Sequence, residues 1–232
     1  MATTLLLSLL AGAAGWSFLE YALHGWGGHL ARGRTFFSRE HLAHHANPGY
    51  FTPTPLKLAT AAPFLIALGA AAVWLAGAFA GLAFTASLAA TWTLYELAHR
   101  RIHTHPPTSA FSRWRRLNHI HHHFREPRMN HGVTTPLWDF VFRTHVAVTE
   151  PIRVPRRLAM PWLFARGSDE LDPAYAADYV FVGRRAGGPA SRPRRTLPRR
   201  RHRRLRRPRA RGLSASRGAD RVAPRDPRRR FA

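Results

Sequence analysis

Ten histidines fall into four spaced groups: His24 and His29; His41, His44 and His45; His99 and His103; His119, His122 and His123. A pair is followed by an HxxHH triplet, and the same order then repeats. Neutral imidazole is the commonest nitrogen ligand of transition metals, so the groups read as metal-ligand clusters. Positions i, i+3 and i+4 of an α-helix share a face, and each triplet is expected to aim three imidazoles at one point. His99 and His103, at i and i+4, fit the same geometry. His24 and His29 are five apart, and Gly25, Gly27 and Gly28 between them point to a helix that is ending. A histidine-rich surface helix can produce one HxxHH. It does not readily produce two, each preceded by a histidine pair and each beside an apolar segment of membrane length.

Ten neutral nitrogens suffice for two metals at five apiece. Structural zinc takes four ligands and closes, whereas iron accepts six, so five imidazoles per iron leave a position open for oxygen. At a membrane surface this implies oxygen activation on a lipid chain. Hydrolysis by metal-activated water would use the same ligands but no electrons. Glu20, four residues before His24, and Glu96, three before His99, are placed to accept the outer N–H of a ligand and fix its tautomer. The alternative for each is a helix-end carboxylate facing headgroups or closing a salt link. His105, His121, His131 and His145 fall off the repeating pattern and stay outside the expected ligand set, with His105 the nearest exception.

The elements that must position these groups are apolar and helical. Thr3 to Leu23 is one apolar run, and Leu56 to Leu97 is a second, long enough for two crossings of a ~30 Å hydrocarbon core with a turn around Gly77 to Gly81. The first run lacks a basic leader and is read as a retained span rather than a signal peptide. Arg32, Arg34 and Arg39 follow the first span, and Arg100, Arg101, Arg113, Arg115 and Arg116 follow the third. The positive-inside rule then puts all four histidine groups and the C-terminus in the cytoplasm. The segments ending in LEYALH at His24 and LYELAH at His99 form a loose internal repeat, two half-sites of five imidazoles each. Pro48, Pro53 and Pro55 return the chain to the membrane, Pro106 and Pro107 open a loop before a helix around Trp114 to Phe124, and Asn130 to Thr144 reads as a turn and an aromatic packing segment or a cavity wall.

No cysteine is present, which excludes disulfides, thiolate zinc and cysteine nucleophiles. The formal charge of +24 is concentrated in a tail, since twenty arginines fall between Arg184 and Ala232 against Asp220 and Asp226. That segment, rich in Arg and Pro, is expected to be disordered. It suits anionic headgroups better than specific nucleic acid, and it also resembles an out-of-frame reading of GC-rich DNA. The expected architecture is all-α: a membrane-embedded helical domain over residues 1–183 with a cytoplasmic histidine-rich helical cap, then the basic tail 184–232.

From about Trp16 to His145 the chain resembles the fatty acid hydroxylase and sterol desaturase superfamily of integral-membrane di-metal oxygenases. The motifs are EYALHGWGGH at Glu20 to His29, HLAHH at His41 to His45, YELAHRRIH at Tyr95 to His103, NHIHHHFR at Asn118 to Arg125 and GVTTPLWDFVFRT at Gly132 to Thr144. The last two lean toward the fatty acid 2-hydroxylase branch. The resemblance implies two irons held by the ten histidines, with zinc a possible substitute in purified protein. It also implies O₂ and a lipid substrate, and, with no haem motif before the first span, an electron donor supplied in trans, cytochrome b5-like or ferredoxin-like. His131 stands where the family usually has another aromatic, Arg143 stands where glycine is common, and three spans are evident against the usual four. The expected activity is hydroxylation of a fatty acyl chain. Sterol or carotenoid hydroxylation or desaturation is the alternative within this chemistry, and a non-catalytic membrane metal-binding protein is the alternative outside it.

Overall fold

The computed structural model of the chain describes residues 1–183; the expected disordered tail, 184–232, lies outside the described residues. The first apolar run has no polar face to break it and forms helix α1 (Ala2–Ala22), which passes without interruption into a π-helical segment, Leu23–Leu30. After a tight turn the Thr35 hydroxyl accepts from the Ser38 amide and caps α2 (Phe36–Ala46).

The second run forms α3 (Thr54–Thr104), 51 residues that would extend about 76 Å if straight. It is broken at Gly77, whose φ of 80° and ψ of 164° are open only to glycine at low cost. The two halves fold back on each other: a Cβ on Gly81 would meet the Val73 backbone at 2.4 Å, and one on Gly69 would meet Thr85 at 3.0 Å. The expected turn is therefore present at its first residue. α1 runs parallel to the returning half, since the Ser87 hydroxyl donates to the Leu9 carbonyl at 2.6 Å while Trp16 packs on Trp92 and Tyr95 further along. Parallel packing brings the C-terminal ends of both helices, each carrying a histidine pair, to the same end of the molecule.

Large apolar side chains remain exposed on the outer faces of these helices, among them Leu6, Leu10, Ile66, Trp74, Leu75 and Leu82. Helices that are apolar all round suit a lipid surrounding. Both Ala2–Leu30 and Thr54–Thr104 are long and apolar enough to cross a membrane.

Beyond them, Ser109 and Ser112 form a reciprocal cap that starts α4 (Ala110–Phe124) four residues before the expected Trp114. Arg116 of α4 is buried and donates to the Arg101 and His105 carbonyls at the end of α3, the second of which is left without a helical partner. This ties the His99–His103 turn to the helix carrying His119, His122 and His123. A short α5 (Leu137–Val141) then packs back toward α1, with the Trp138 indole N–H donating to the Ser17 hydroxyl at 3.0 Å.

The all-α expectation is corrected by the last part. Residues 145–183 contain a two-stranded parallel sheet, β1 (Ile152–Pro155) and β2 (Tyr179–Val182), with Ile152 opposite Tyr179. Prolines at 151, 155, 161 and 173 prevent a continuous helix, and β-branched Ile152, Val154, Val180 and Val182 favour extended chain. The sheet side chains Ile152, Val154 and Tyr179 form a buried core with Leu163 and with Ile102 and Ile120, which are interleaved with the histidines of α3 and α4. The molecule is mostly helical, with an apolar helical end and a separately cored cap behind the histidines.

Candidate metal centre

The first pair is brought into register by the π-helix. Its backbone bonds run from i to i+5, so residues five apart stack where an α-helix would separate them. His24 and His29 face the same way with ring centroids 5.7 Å apart. The glycines that pointed to a helix end instead make room. A Cβ on Gly28 would lie 2.5 Å from the His41 ring, and one on Gly25 would lie 3.3 Å from the His131 ring. The Ser38 hydroxyl donates to the Gly28 carbonyl at 2.6 Å and accepts from the Gly33 amide, fixing α2 against this segment. Gly28→Val is accordingly expected to expel His41 and to lower bound metal by about one equivalent per chain, read by elemental analysis of purified protein.

All ten expected histidines converge, but not in the expected halves. One group is His24, His29, His41, His45 and His122; the other is His44, His99, His103, His119 and His123. Within each group the ligand atoms lie within 4.8 Å of one another. Each HxxHH is split: its i and i+4 members enter one group and its i+3 member crosses to the other. Three imidazoles on one helical face are spread too widely for one centre, and two centres side by side take them without distortion. His44 and His122 are thus exchanged between the two halves of the repeat, while His45 and His123, one from each group, stack with centroids 4.1 Å apart.

The donor set fits metal ions. The Nδ1 atoms of His24, His44 and His122 donate to the carbonyls of His131, Tyr50 and Met129 at 2.5, 2.7 and 2.7 Å. A neutral imidazole has one N–H, so each Nε2 is a bare lone pair. The Nε2 atoms of His24 and His122 nevertheless lie 2.8 Å apart, where no proton is available to join them. A shared cation removes that repulsion. In the second group, the Nε2 atoms of His44 and His119 each lie 2.9 to 3.2 Å from those of His99 and His103. Two nitrogens held ~2.1 Å from one ion are about 3.0 Å apart at a right angle and about 3.4 Å apart at the tetrahedral angle. The spacing suits five- or six-coordination. Both ring nitrogens of His123 are buried without a hydrogen-bond partner, and a cation within the group would give one of them a partner.

Burial keeps these rings in the neutral, ligating form. It pushes the pKa of His45 down to about 2 and that of His44 down to about 4. His41, His119, His122 and His123 are lowered well below the ordinary value, first by burial and then by neighbouring histidines.

The other candidates resolve differently. Glu20 is buried but accepts from the Val133 and Thr134 amides and the Thr134 hydroxyl, so it pins the 131–134 loop and touches no ligand N–H. Glu96 pairs with Lys57. Both expected ligand-orienting contacts are thereby corrected: backbone carbonyls take that role, and a carbonyl has no residue-type signal in sequence. Buried Asp139 escaped notice within the aromatic segment. It accepts from the His131 and Gly132 amides and the Thr144 hydroxyl, and so sets the loop whose His131 carbonyl orients His24. His131 itself packs its ring on Tyr21 and beside His24 and His122. His105 is exposed, bonded to the Thr104 hydroxyl outside both groups, and His121 and His145 also lie outside them. Arg143 takes a φ of 59°, a left-handed conformation in which glycine is least strained.

A cavity of about 370 Å³ opens between α1, α2 and both halves of α3. His24, His41, His44 and His99 line it, drawn from both groups; Trp16, Ala61, Phe64, Leu65 and Trp92 form its apolar part, and Glu20, Glu40, Lys57 and Glu96 its ionisable part. The 130–144 segment is not among its walls.

The fatty acid hydroxylase family profile matches residues 9–144, a span that includes all ten histidines and the Asp139 loop. Two dihydroceramide fatty acyl 2-hydroxylases of Arabidopsis thaliana are each 28% identical to the chain, over 138 and 142 residues, covering 56% and 57% of it and 56% and 58% of their own lengths. The chain thus spans a little over half the length of these curated relatives. The solved hydroxylase domain of scs7p superposes with a TM-score of 0.51 at 24% identity, covering 63% of this chain and 59% of the other, a likeness of fold. Histidine placement, helical frame and profile agree that this chain belongs to the fatty acid hydroxylase family.

Proposed function

We propose that the protein is a membrane-bound, O₂-dependent hydroxylase of a lipid C–H bond, with two irons held by the two five-histidine groups and a fatty acyl chain as substrate. The observation that carries this reading is the cavity: its apolar walls belong to helices long enough to cross a membrane, and it ends on histidines of both groups. Its volume falls within the usual range for small-molecule sites, ~300–1,000 Å³. The names of the Arabidopsis relatives favour the acyl chain over a sterol or carotenoid.

Bound iron would supply oxygen activation. One oxygen atom enters the C–H bond and the other leaves as water, which consumes two electrons from an external donor of cytochrome b5 or ferredoxin type and two protons from solvent. The chain's own residues hold and exclude. The His131, Tyr50 and Met129 carbonyls keep three Nε2 atoms aimed inward, and Trp16, Phe64 and Trp92 dry the cavity. The arginines after the first and third spans argue for a cytoplasmic histidine end, accessible to such a donor. We assign the hydroxylase unit to residues 1–183.

Chelation followed by reconstitution tests this reading. Ferrous iron with O₂, a reducing system and membrane lipid extract is expected to restore a product one oxygen atom heavier, whereas zinc is expected to fill the site without turnover. Equal recovery with zinc, or oxygen-independent product, would refute it.

A further inference from the structure

Helix α5 turns one face inward and leaves the other without a partner. Leu137, Phe140 and Val141, at i, i+3 and i+4, share its outer face and are 52%, 58% and 57% exposed. On the inner side Asp139 is buried and the Trp138 indole N–H donates to the Ser17 hydroxyl. Single exposed apolar residues are ordinary on a protein surface, but a whole apolar face is not. The depth of α5 bears on what covers it. α1 has 21 residues, a rise of about 30 Å, which matches the hydrocarbon thickness of a bilayer. Ser17 and Phe18, which hold Trp138, lie about 6–8 Å before the end of that helix. α5 is therefore pinned at the level where hydrocarbon gives way to headgroups.

The surroundings of α5 extend the same surface. Phe142 stacks on Tyr21 at 5.0 Å and meets Trp26 of the π-helical segment at 5.6 Å, and Trp26 is itself 47% exposed. Aromatic rings at this level are favoured by the membrane boundary. Beyond them come cations. Arg143 follows Phe142 directly, and Arg32 and Arg34 follow the π-helical segment. All three are exposed, and none has a carboxylate within ion-pair distance among the described residues. By contrast, Arg113, Arg125, Arg128 and Arg156 of the cap each pair with a carboxylate. An apolar face edged by unpaired arginines complements an anionic phospholipid surface. It suits a second copy of the chain less well, because a twofold pairing would set the same arginines against each other. The basic segment 184–232 would meet the same repulsion.

We propose that α5 and the aromatic rings beside it form a docking surface for anionic phospholipid, through which the bilayer holds the loop that orients His24. This rests on the membrane-bound part of the reading above. Leu137, Phe140 and Val141 enter the upper acyl region, and Arg143, Arg32 and Arg34 take lipid phosphates. Five residues are too few to hold a membrane by themselves, but α1 delivers them to it. On the inner side of α5, Asp139 accepts from the His131 and Gly132 amides, and the His131 carbonyl accepts from His24 Nδ1. Displacement of α5 from the bilayer therefore displaces the group that orients a metal-ligating ring.

The chain has no cysteine, so a nitroxide can be attached at one chosen position of the full-length protein in nanodiscs of phosphatidylcholine and phosphatidylglycerol. On Val141→Cys the label is expected to be reached by oxygen and shielded from an aqueous nickel chelate; on Arg166→Cys, exposed on the cap, the order should reverse. A Val141→Cys label open to the chelate, or closed to both reagents as beneath a protein partner, would overturn the proposal. Ile66→Cys, on the exposed side of α3, separates the two readings. Chelate access there would refute membrane embedding itself, whereas shielding at Ile66→Cys with access at Val141→Cys would refute the docking surface alone. Arg32→Gln and Arg143→Gln are each expected to lower the enrichment of phosphatidylglycerol over phosphatidylcholine in lipid retained by the purified protein about fivefold. Unchanged enrichment would overturn the choice of anionic lipid. Leu137→Asp combined with Val141→Asp, both at exposed positions, is expected to weaken zinc binding at the His24 group about tenfold, read by competition with a chelator and without turnover. Unchanged zinc affinity would overturn the coupling of lipid contact to the metal centre.

Discussion

His44→Ala and His122→Ala are each expected to strip metal from the group opposite the sequence half that carries the residue. His44 sits on α2 beside His41 and His45, yet its Nε2 lies 3.1 and 3.2 Å from those of His99 and His103. His122 sits on α4 beside His119 and His123, yet its Nε2 lies 2.8 and 3.0 Å from those of His24 and His29. Each variant removes one of five nitrogens and also frees a carbonyl, Tyr50 or Met129, that had oriented the ring. Metal affinity at the depleted group is expected to fall by about a hundredfold or more, since loss of an outer partner alone typically costs 10–100-fold. Lipid hydroxylation should fall with it, because the cavity ends on residues of both groups. The two variants should each retain about one equivalent of metal, and combining them should remove most of the second. His105→Ala, exposed and outside both groups, should retain two. Full metal occupancy in both His44→Ala and His122→Ala would refute the crossed assignment, and loss of both metals in each would show that the groups fill only together.

This crossing marks the boundary of what the sequence made legible. Residue type and local spacing carried all ten histidines, the three apolar segments and the turn at Gly77, because each depends on short-range periodicity. Partition of the triplets between two groups depends on where α2 and α4 lie relative to two other helices, and no spacing within HxxHH encodes it. The π-helical register of His24 and His29 was hidden for a related reason. Five-residue spacing reads as misaligned when α-helical geometry is assumed, and Gly25, Gly27 and Gly28 read as a stop. Their small size instead admits the rings of His131, Phe37 and His41. The carbonyls of Tyr50, Met129 and His131 have no side-chain signature at all. Asp139 had one, a lone carboxylate in an aromatic run, and its burial was the missing fact. The β1–β2 pair was readable from alternating β-branched residues, Ile152 and Val154 just after Pro151 and Val180 and Val182 beyond Pro173, a signal overshadowed by the helical character of everything before it.

Acid is expected to dismantle the metal-free cap steeply. His41, His44, His45, His119, His122 and His123 all have pKa values lowered by burial, to about 4 for His44 and about 2 for His45. An unfolded histidine titrates near 6.5, so between that value and the lowered one the unfolded chain binds protons that the folded chain does not. Stability therefore rises with pH through this window. The contribution of each ring is fully present above about pH 6.5 and is lost as pH falls toward the folded value, at about 1.4 kcal/mol per pH unit. Three such rings acting together would cost about 4 kcal/mol per unit, against a total stability of roughly 5–15 kcal/mol for a typical protein. Chelated protein in detergent should thus lose its near-ultraviolet circular dichroism within about one pH unit below 6, with α1 and α3 retaining far-ultraviolet helicity because their apolar stretches carry few of these groups. Bound metal should move the transition to lower pH, since only the unprotonated ring nitrogen ligates. The shift should be smaller in His44→Ala and His122→Ala, which each hold one metal. A metal-free protein whose near-ultraviolet spectrum is flat to pH 4 would show that the rings are hydrated rather than buried, and the close approach of bare nitrogens that implies a cation would then lose its force.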